Sequence, residues 1–326
     1  MIVTNGHLKR WSIAALQLLV SAGLLGGLLY YADLADMLAI AAAIDPFIIF
    51  LCALLLALLV LPASIRWRWF IARFLDNDKS PPTLGLAVRV ITINVALNQL
   101  LPSTIGGDLY RVFVARTLGL SLLSSMLATL GDRLSALIIL VLVSGPAMLI
   151  ILLSAGDLFW PSQMDVLLGL STLLGVGLAG LFFFRKHLYV MKAIAFFDIS
   201  ALGWKTSGVI NQVLVTSLLI QLTTLSVMTA ITRTIGIEIS LSVIFGVMAV
   251  SLLVSRLPIS VAGWGIREGV SVSLFAIFGV SADLALATSI AYGLTELFAA
   301  VLALLGTAIS PLLSHFLQNN HHPNAD

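Results

Sequence analysis

Asp108, Arg111, Arg116, Asp132, Arg133, Arg256, Arg267, Glu268 and Glu296 stand inside otherwise apolar sequence. Ionisable groups in apolar segments are costly in a bilayer and usually face a bundle interior or a watery cavity. Most of these gather around two interruptions. The first reads Leu101-Pro102, then Gly106-Gly107, Asp108 and Arg111; the second reads Leu257-Pro258, then Gly263, Gly265 and Arg267-Glu268. A helix restarting after Gly106-Gly107 turns its free amides and positive dipole end toward what precedes it. Arg111 follows one turn later, and a planar guanidinium suits bidentate contact with phosphate. Asp108 then caps the helix or steadies Arg111. Asn94 and Asn98 share a helix face and can bond the carbonyls that Pro102 frees; substrate contact is the equal alternative. A blander reading also stands, in which Asp108–Arg111 and Asp132–Arg133 are structural pairs and Arg116, Arg133 and Arg256 snorkel to an interface.

Other chemistry lacks its residues. There is no Gly-x-Ser-x-Gly, no His-Glu-x-x-His and no phosphate-binding loop motif, so the chain reads as a non-enzyme without a cofactor. His7, His187 and His315 are isolated, His321 and His322 lie in the polar tail, and no zinc spacing occurs. The single cysteine, Cys52, excludes a disulfide framework. A net charge of +2 argues against nucleic acid as a partner.

The elements that must hold these residues are membrane helices. Of 326 residues, 60% are hydrophobic and only 10% charged, and mean hydropathy is +1.10. Strong spans are expected at about 11–32, 44–64, 134–154, 166–184, 207–231 and 284–309. The N-terminal run lacks a clear cleavage site and reads as an anchor rather than a signal peptide. Lys9 and Arg10 set the N-terminus in the cytoplasm, and Arg66, Arg68, Arg73, Lys79 and Arg89 do the same for the connection after the second span. The 155–165 connection carries only Asp157 and Asp165 and reads as outside, whereas 185–206, with Arg185, Lys186, Lys192 and Lys205, reads as inside. These assignments agree only if 84–120 enters from the cytoplasm and turns back near Pro102–Gly107. Non-helical backbone at that depth requires a cavity or surrounding protein. A second hairpin, 240–280, enters from the opposite face, and both termini are expected in the cytoplasm.

The two broken regions also resemble each other. Gly119 follows the first and Gly279 the second. The next helix in each case carries a small or polar stripe: Ser121, Ser125, Ala128 and Asp132, against Ser289, Gly293, Glu296 and Ala300. Opposite entry with a shared pattern predicts an inverted-topology repeat, which transporters use to build a midplane site. The fold class is therefore all-α. One transmembrane domain fills 1–326, with about six spans, two Pro/Gly-broken hairpins and a polar tail over 311–326.

Asn98-Gln-Leu-Leu-Pro102, Gly106-Gly107-Asp108, Arg111 and Asp132-Arg133 form one half-pattern. Pro258, Ser260, Gly263-Trp-Gly265-Ile-Arg267-Glu268-Gly269 and Gly279 form the other. Together they resemble the lysylphosphatidylglycerol synthase transmembrane (flippase-like) family, the membrane domain of multiple-peptide-resistance-factor proteins. The resemblance covers nearly the whole chain. It implies movement of an anionic or aminoacyl-modified phospholipid, or a polyprenyl-phosphate-type lipid, between leaflets of the cytoplasmic (inner) membrane. Only about 16 polar residues follow the last span, so no lipid-aminoacylating domain is expected. The chain departs from the family at Glu296, where members often carry an arginine.

The expected headgroup-binding set is Asn98, Gly106, Gly107, Asp108, Arg111, Arg116, Asp132, Arg133, Arg267, Glu268 and Glu296, with structural breaks at Pro102, Pro258, Gly263 and Gly265. The expected partner is membrane phospholipid; a homo-oligomer stays open. Two alternatives remain: a transporter of a small soluble anion, or a non-transporting partner of a lipid-modifying or glycosyl-transfer enzyme.

Overall fold

The computed structural model describes residues 19–30, 40, 44–76, 78–100, 105–154, 207–256 and 260–319. The expected span at 166–184, both connections flanking it, Pro102 and Pro258 lie outside the described residues. Within them the chain is helical, and no strand occurs. The helices are α1 (Leu19–Tyr30), α2 (Pro46–Leu58), α3 (Val60–Phe74), α4 (Leu84–Leu100), α5 (Ile105–Thr117), α6 (Leu122–Ser154), α7 (Ser207–Thr234), α8 (Leu241–Ser255), α9 (Ile266–Ala276) and α10 (Ala282–Asn319).

Among the described residues, four stretches are long and apolar enough to cross a membrane: Pro46–Phe74, Leu122–Pro146, Asn211–Thr234 and Ala282–Ala308. The first begins where Asp45 Oδ1 accepts from the Phe47 amide at 2.8 Å and Pro46 opens the helix. It continues through Leu59, which keeps helical dihedrals, so the span expected to stop at 64 runs on to Phe74. Its arginines thereby leave the loop in which the sequence set them. The span expected at 134–154 is the later part of a helix that begins at Leu122, as the stripe from Ser121 requires, and α10 extends to Asn319, so the start of the expected polar tail is helical.

The two broken regions become helix pairs, α4 with α5 and α8 with α9, each packed together across its break. At 17 and 15 residues, α4 and α8 span roughly 25 Å and 22 Å, short of a hydrocarbon core of about 30 Å. The local unit after each break is the same. Gly119, at φ 95°, and Gly279, at φ 74°, end the short helices. The Leu120 amide reaches back to the Ala115 carbonyl and that of Val280 to Phe275, a glycine-dependent helix stop. Ser121 and Ser281 then cap the long helices, accepting from the amides of Ser124 and Leu284.

Two cores follow these units. One joins Trp67, Phe70 and Ile71 of α3 to Ala87, Val90 and Ile91 of α4, Ala115 and Ala128. The other gathers around α8, whose Val243, Ile244, Val247, Met248 and Ala249 are all buried against Leu225, Met228, Ile231, Phe275 and Tyr292. A helix apolar all round belongs in the interior. Exposed Leu, Phe and Val side chains on α2, α6, α7 and α10 face outward, which suits a lipid-facing surface.

Candidate functional site

Asp132 is the centre of the first cluster. It projects from α6 between two helices, and each carboxylate oxygen takes one arginine. Arg66 Nε of α3 donates to Oδ1 at 2.6 Å, and Arg111 Nη2 of α5 donates to Oδ2 at 2.6 Å. Arg66 Nη1 also donates to Ser217 Oγ of α7 at 3.0 Å. All three charged side chains are buried. Asp108, in the first turn of α5, pairs with Arg133 and lies 3.8 Å from Arg111 Nη1. The pairing expected within Asp132–Arg133 therefore does not form. Neighbours in sequence point to different faces of a helix, so Asp132 faces inward while Arg133 reaches Asp108 from the rim. Among the described residues, three arginines against two aspartates leave one positive charge in excess.

Helix approach at this cluster is close. The Gly107 amide donates to Asn98 Oδ1 at 3.2 Å, and a Cβ on Gly107 would come within 2.5 Å of Asn94 and Asn98 atoms. Asn98 Oδ1 thus accepts from α5. Gly106 is half-buried beside it, whereas Arg116 is exposed in the last turn of α5, away from the cluster.

The second cluster centres on Arg267, which is 2% exposed. Its Nη2 and Nε donate to Glu268 Oε1 at 2.6 and 3.1 Å, and Ser289 Oγ bonds both partners at 3.1 and 3.0 Å. Glu268 Oε2 accepts from the Gly265 amide at 2.6 Å, closing the start of α9. The guanidinium lies over the rings of Trp264 and Tyr292, each 5.1 Å from its carbon. Glu296 stands farther off, 3.7 Å from Arg267 Nη1 and partly exposed. The breaks at Gly263 and Gly265 both take positive φ, and Ala262 joins them at φ 48°. The Val261 amide there donates to Ser21 Oγ of α1 at 2.8 Å.

Gly293 lies directly under this arginine. A Cβ there would strike Arg267 Nη2 and come within 2.6 Å of the Trp264 ring. Gly293→Ala is expected to destabilise the protein by about 1–3 kcal/mol through overpacking, read as a lower unfolding midpoint in detergent; an unchanged midpoint refutes the packing argument.

Residues 14–305 match the family model of the lysylphosphatidylglycerol synthase transmembrane region. The chain belongs to that family. No curated protein matches it. The lysylphosphatidylglycerol synthase transmembrane match takes in every residue of both clusters, including Arg66, Trp264 and Tyr292, which sequence reasoning missed. Arg66 reads as a loop charge because three other arginines and a lysine follow it in the same expected connection. Its only distinguishing signal was position, since it still lies within one helix turn of the apolar run that ends at Leu61–Ser64. Among the described residues, no group of three or more His, Cys, Asp or Glu could hold a metal ion.

Proposed function

We propose that this protein moves a phospholipid with an anionic or aminoacyl-modified headgroup, or a polyprenyl-phosphate-type lipid, between membrane leaflets. The headgroup passes through the polar interior among α3, α5 and α6 while the chains stay in the bilayer. The observation carrying this reading is the buried Arg66–Asp132–Arg111 cluster, with its excess positive charge inside membrane helices. Such groups in membrane segments mark substrate paths, and arginine matches phosphate geometry. The family is named for an enzyme of an aminoacyl phospholipid, which supports a lipid over a soluble anion. The repeated helix–glycine–serine unit supports two related halves; on this reading they are inverted and enclose the path. The protein then acts as a transporter rather than an enzyme, in the cytoplasmic membrane with both termini in the cytoplasm.

Protein reconstituted in vesicles is expected to exchange a fluorescent phosphatidylglycerol between leaflets. Arg111→Ala is expected to lower that exchange at least tenfold, while Arg66 still holds Asp132 and keeps the bundle folded. Exchange no faster than in empty vesicles, together with uptake of a soluble anion, sinks the lipid reading.

A further inference from the structure

Hydrogen-bond accounting at the start of α5 leaves two donors unspent, beside one acceptor, Asp108 Oδ1. Asn94 is 7% and Arg111 3% exposed, yet among the described residues neither Asn94 Nδ2 nor Arg111 Nε has a hydrogen-bond partner. Native interiors seldom bury a donor without an acceptor, so each such group calls for an explanation. Both donors neighbour the first two turns of α5. Gly107 and Arg111 lie one turn apart on a single face of α5, and Asn94 Nδ2 is within 2.5 Å of where a Gly107 Cβ would be. Asn98 Oδ1 is already engaged by the Gly107 amide; Asn94 Nδ2 is not engaged among the described residues. The positive end of the thirteen-residue α5 lies at the same point.

Charge narrows the ligand. Arg66, Arg111 and Arg133 face Asp108 and Asp132, leaving room for one negative charge before the cluster itself becomes negative. A singly charged oxyanion neutralises it, whereas a doubly charged phosphomonoester overshoots.

We propose that Asn94 Nδ2 and Arg111 Nε form an oxyanion socket for a singly charged phosphodiester. This rests on the transport reading of the same site and identifies the donors that hold the headgroup. Both donors are sealed by protein in this conformation, so the ligand reaches them when α5 parts from α4. Gly107 permits the close approach that seals them.

The test uses the full chain in detergent, with dihexanoyl phosphatidylglycerol and inorganic phosphate as probes in titration calorimetry. Wild type is expected to bind the short-chain lipid, and Asn94→Leu and Asn94→Ala to bind it roughly tenfold more weakly. Asn94→Asp, which puts a carboxylate in the socket, is expected to weaken it roughly a hundredfold. The unfolding midpoint of the Leu and Ala variants is expected to stay at or near that of wild type, since Asn94 Nδ2 makes no bond in the folded protein. Equal lipid binding by wild type and Asn94→Leu, or no binding by wild type, overturns the socket. Inorganic phosphate bound more tightly than the lipid overturns the phosphodiester assignment in favour of a free anion. Leaflet exchange by wild type is measured in parallel. Exchange that persists unchanged in Asn94→Leu defeats the socket alone, and absent wild-type exchange beside Asn94-dependent binding defeats transport alone.

Discussion

Asp132→Ala is expected to cost about 3–5 kcal/mol of stability, the cost of removing one partner of a buried ion pair. Both carboxylate oxygens are committed, one to Arg66 and one to Arg111, so the substitution strands two buried guanidinium groups together. Their like charges then repel in a medium that screens them poorly. Chemical unfolding in detergent measures the loss, and Arg133→Ala is the control. The Arg133 side chain is 40% exposed, and its removal is expected to cost only about 0–1 kcal/mol. A loss under about 1 kcal/mol for Asp132→Ala would mean the arginines find other partners. A third chain separates folding from function: with Arg66 and Arg111 replaced by methionine and Asp132 by leucine, much of the stability is expected to return, while lipid exchange stays lost.

Glu268→Ala is expected to have a comparable effect, about 3–5 kcal/mol. Its carboxylate serves Arg267, Ser289 and the Gly265 amide at once, and both charged partners are almost fully buried. Glu296 is too far away and too exposed to replace it. Glu268→Gln keeps oxygen and shape but loses the charge, and is expected to fall between alanine and wild type. Because Arg267 lies over the Trp264 ring, indole fluorescence should shift with the loss of stability. Unaltered fluorescence and stability in Glu268→Ala would remove the case for Glu268 as the anchor of α9.

The repeated glycine stops show how much of the fold lay in local sequence. The sequence pattern alone pairs Gly119 with Gly279, and each ends its helix in the left-handed conformation followed by a serine cap. Such signals are readable because a positive φ and a side-chain cap depend only on residues a few positions apart. Helix ends without them were misplaced. The second span is expected to end at 64, just before the arginines, because hydropathy cannot distinguish an arginine in water from one paired inside a bundle.

Composition and hydrophobic length by themselves determined that this chain is a bundle of membrane helices broken at two places, with charges collected at the breaks. They did so because bilayer thickness and backbone hydrogen bonding leave few alternatives for apolar segments of that length. Which charges meet was decided only by tertiary structure. Asp132 takes Arg66 across 66 positions and Arg111 across 21 rather than its neighbour Arg133, and Arg267 lies between Trp264 and Tyr292. Ion pairing depends on the distance between groups in space, and helix packing sets that distance.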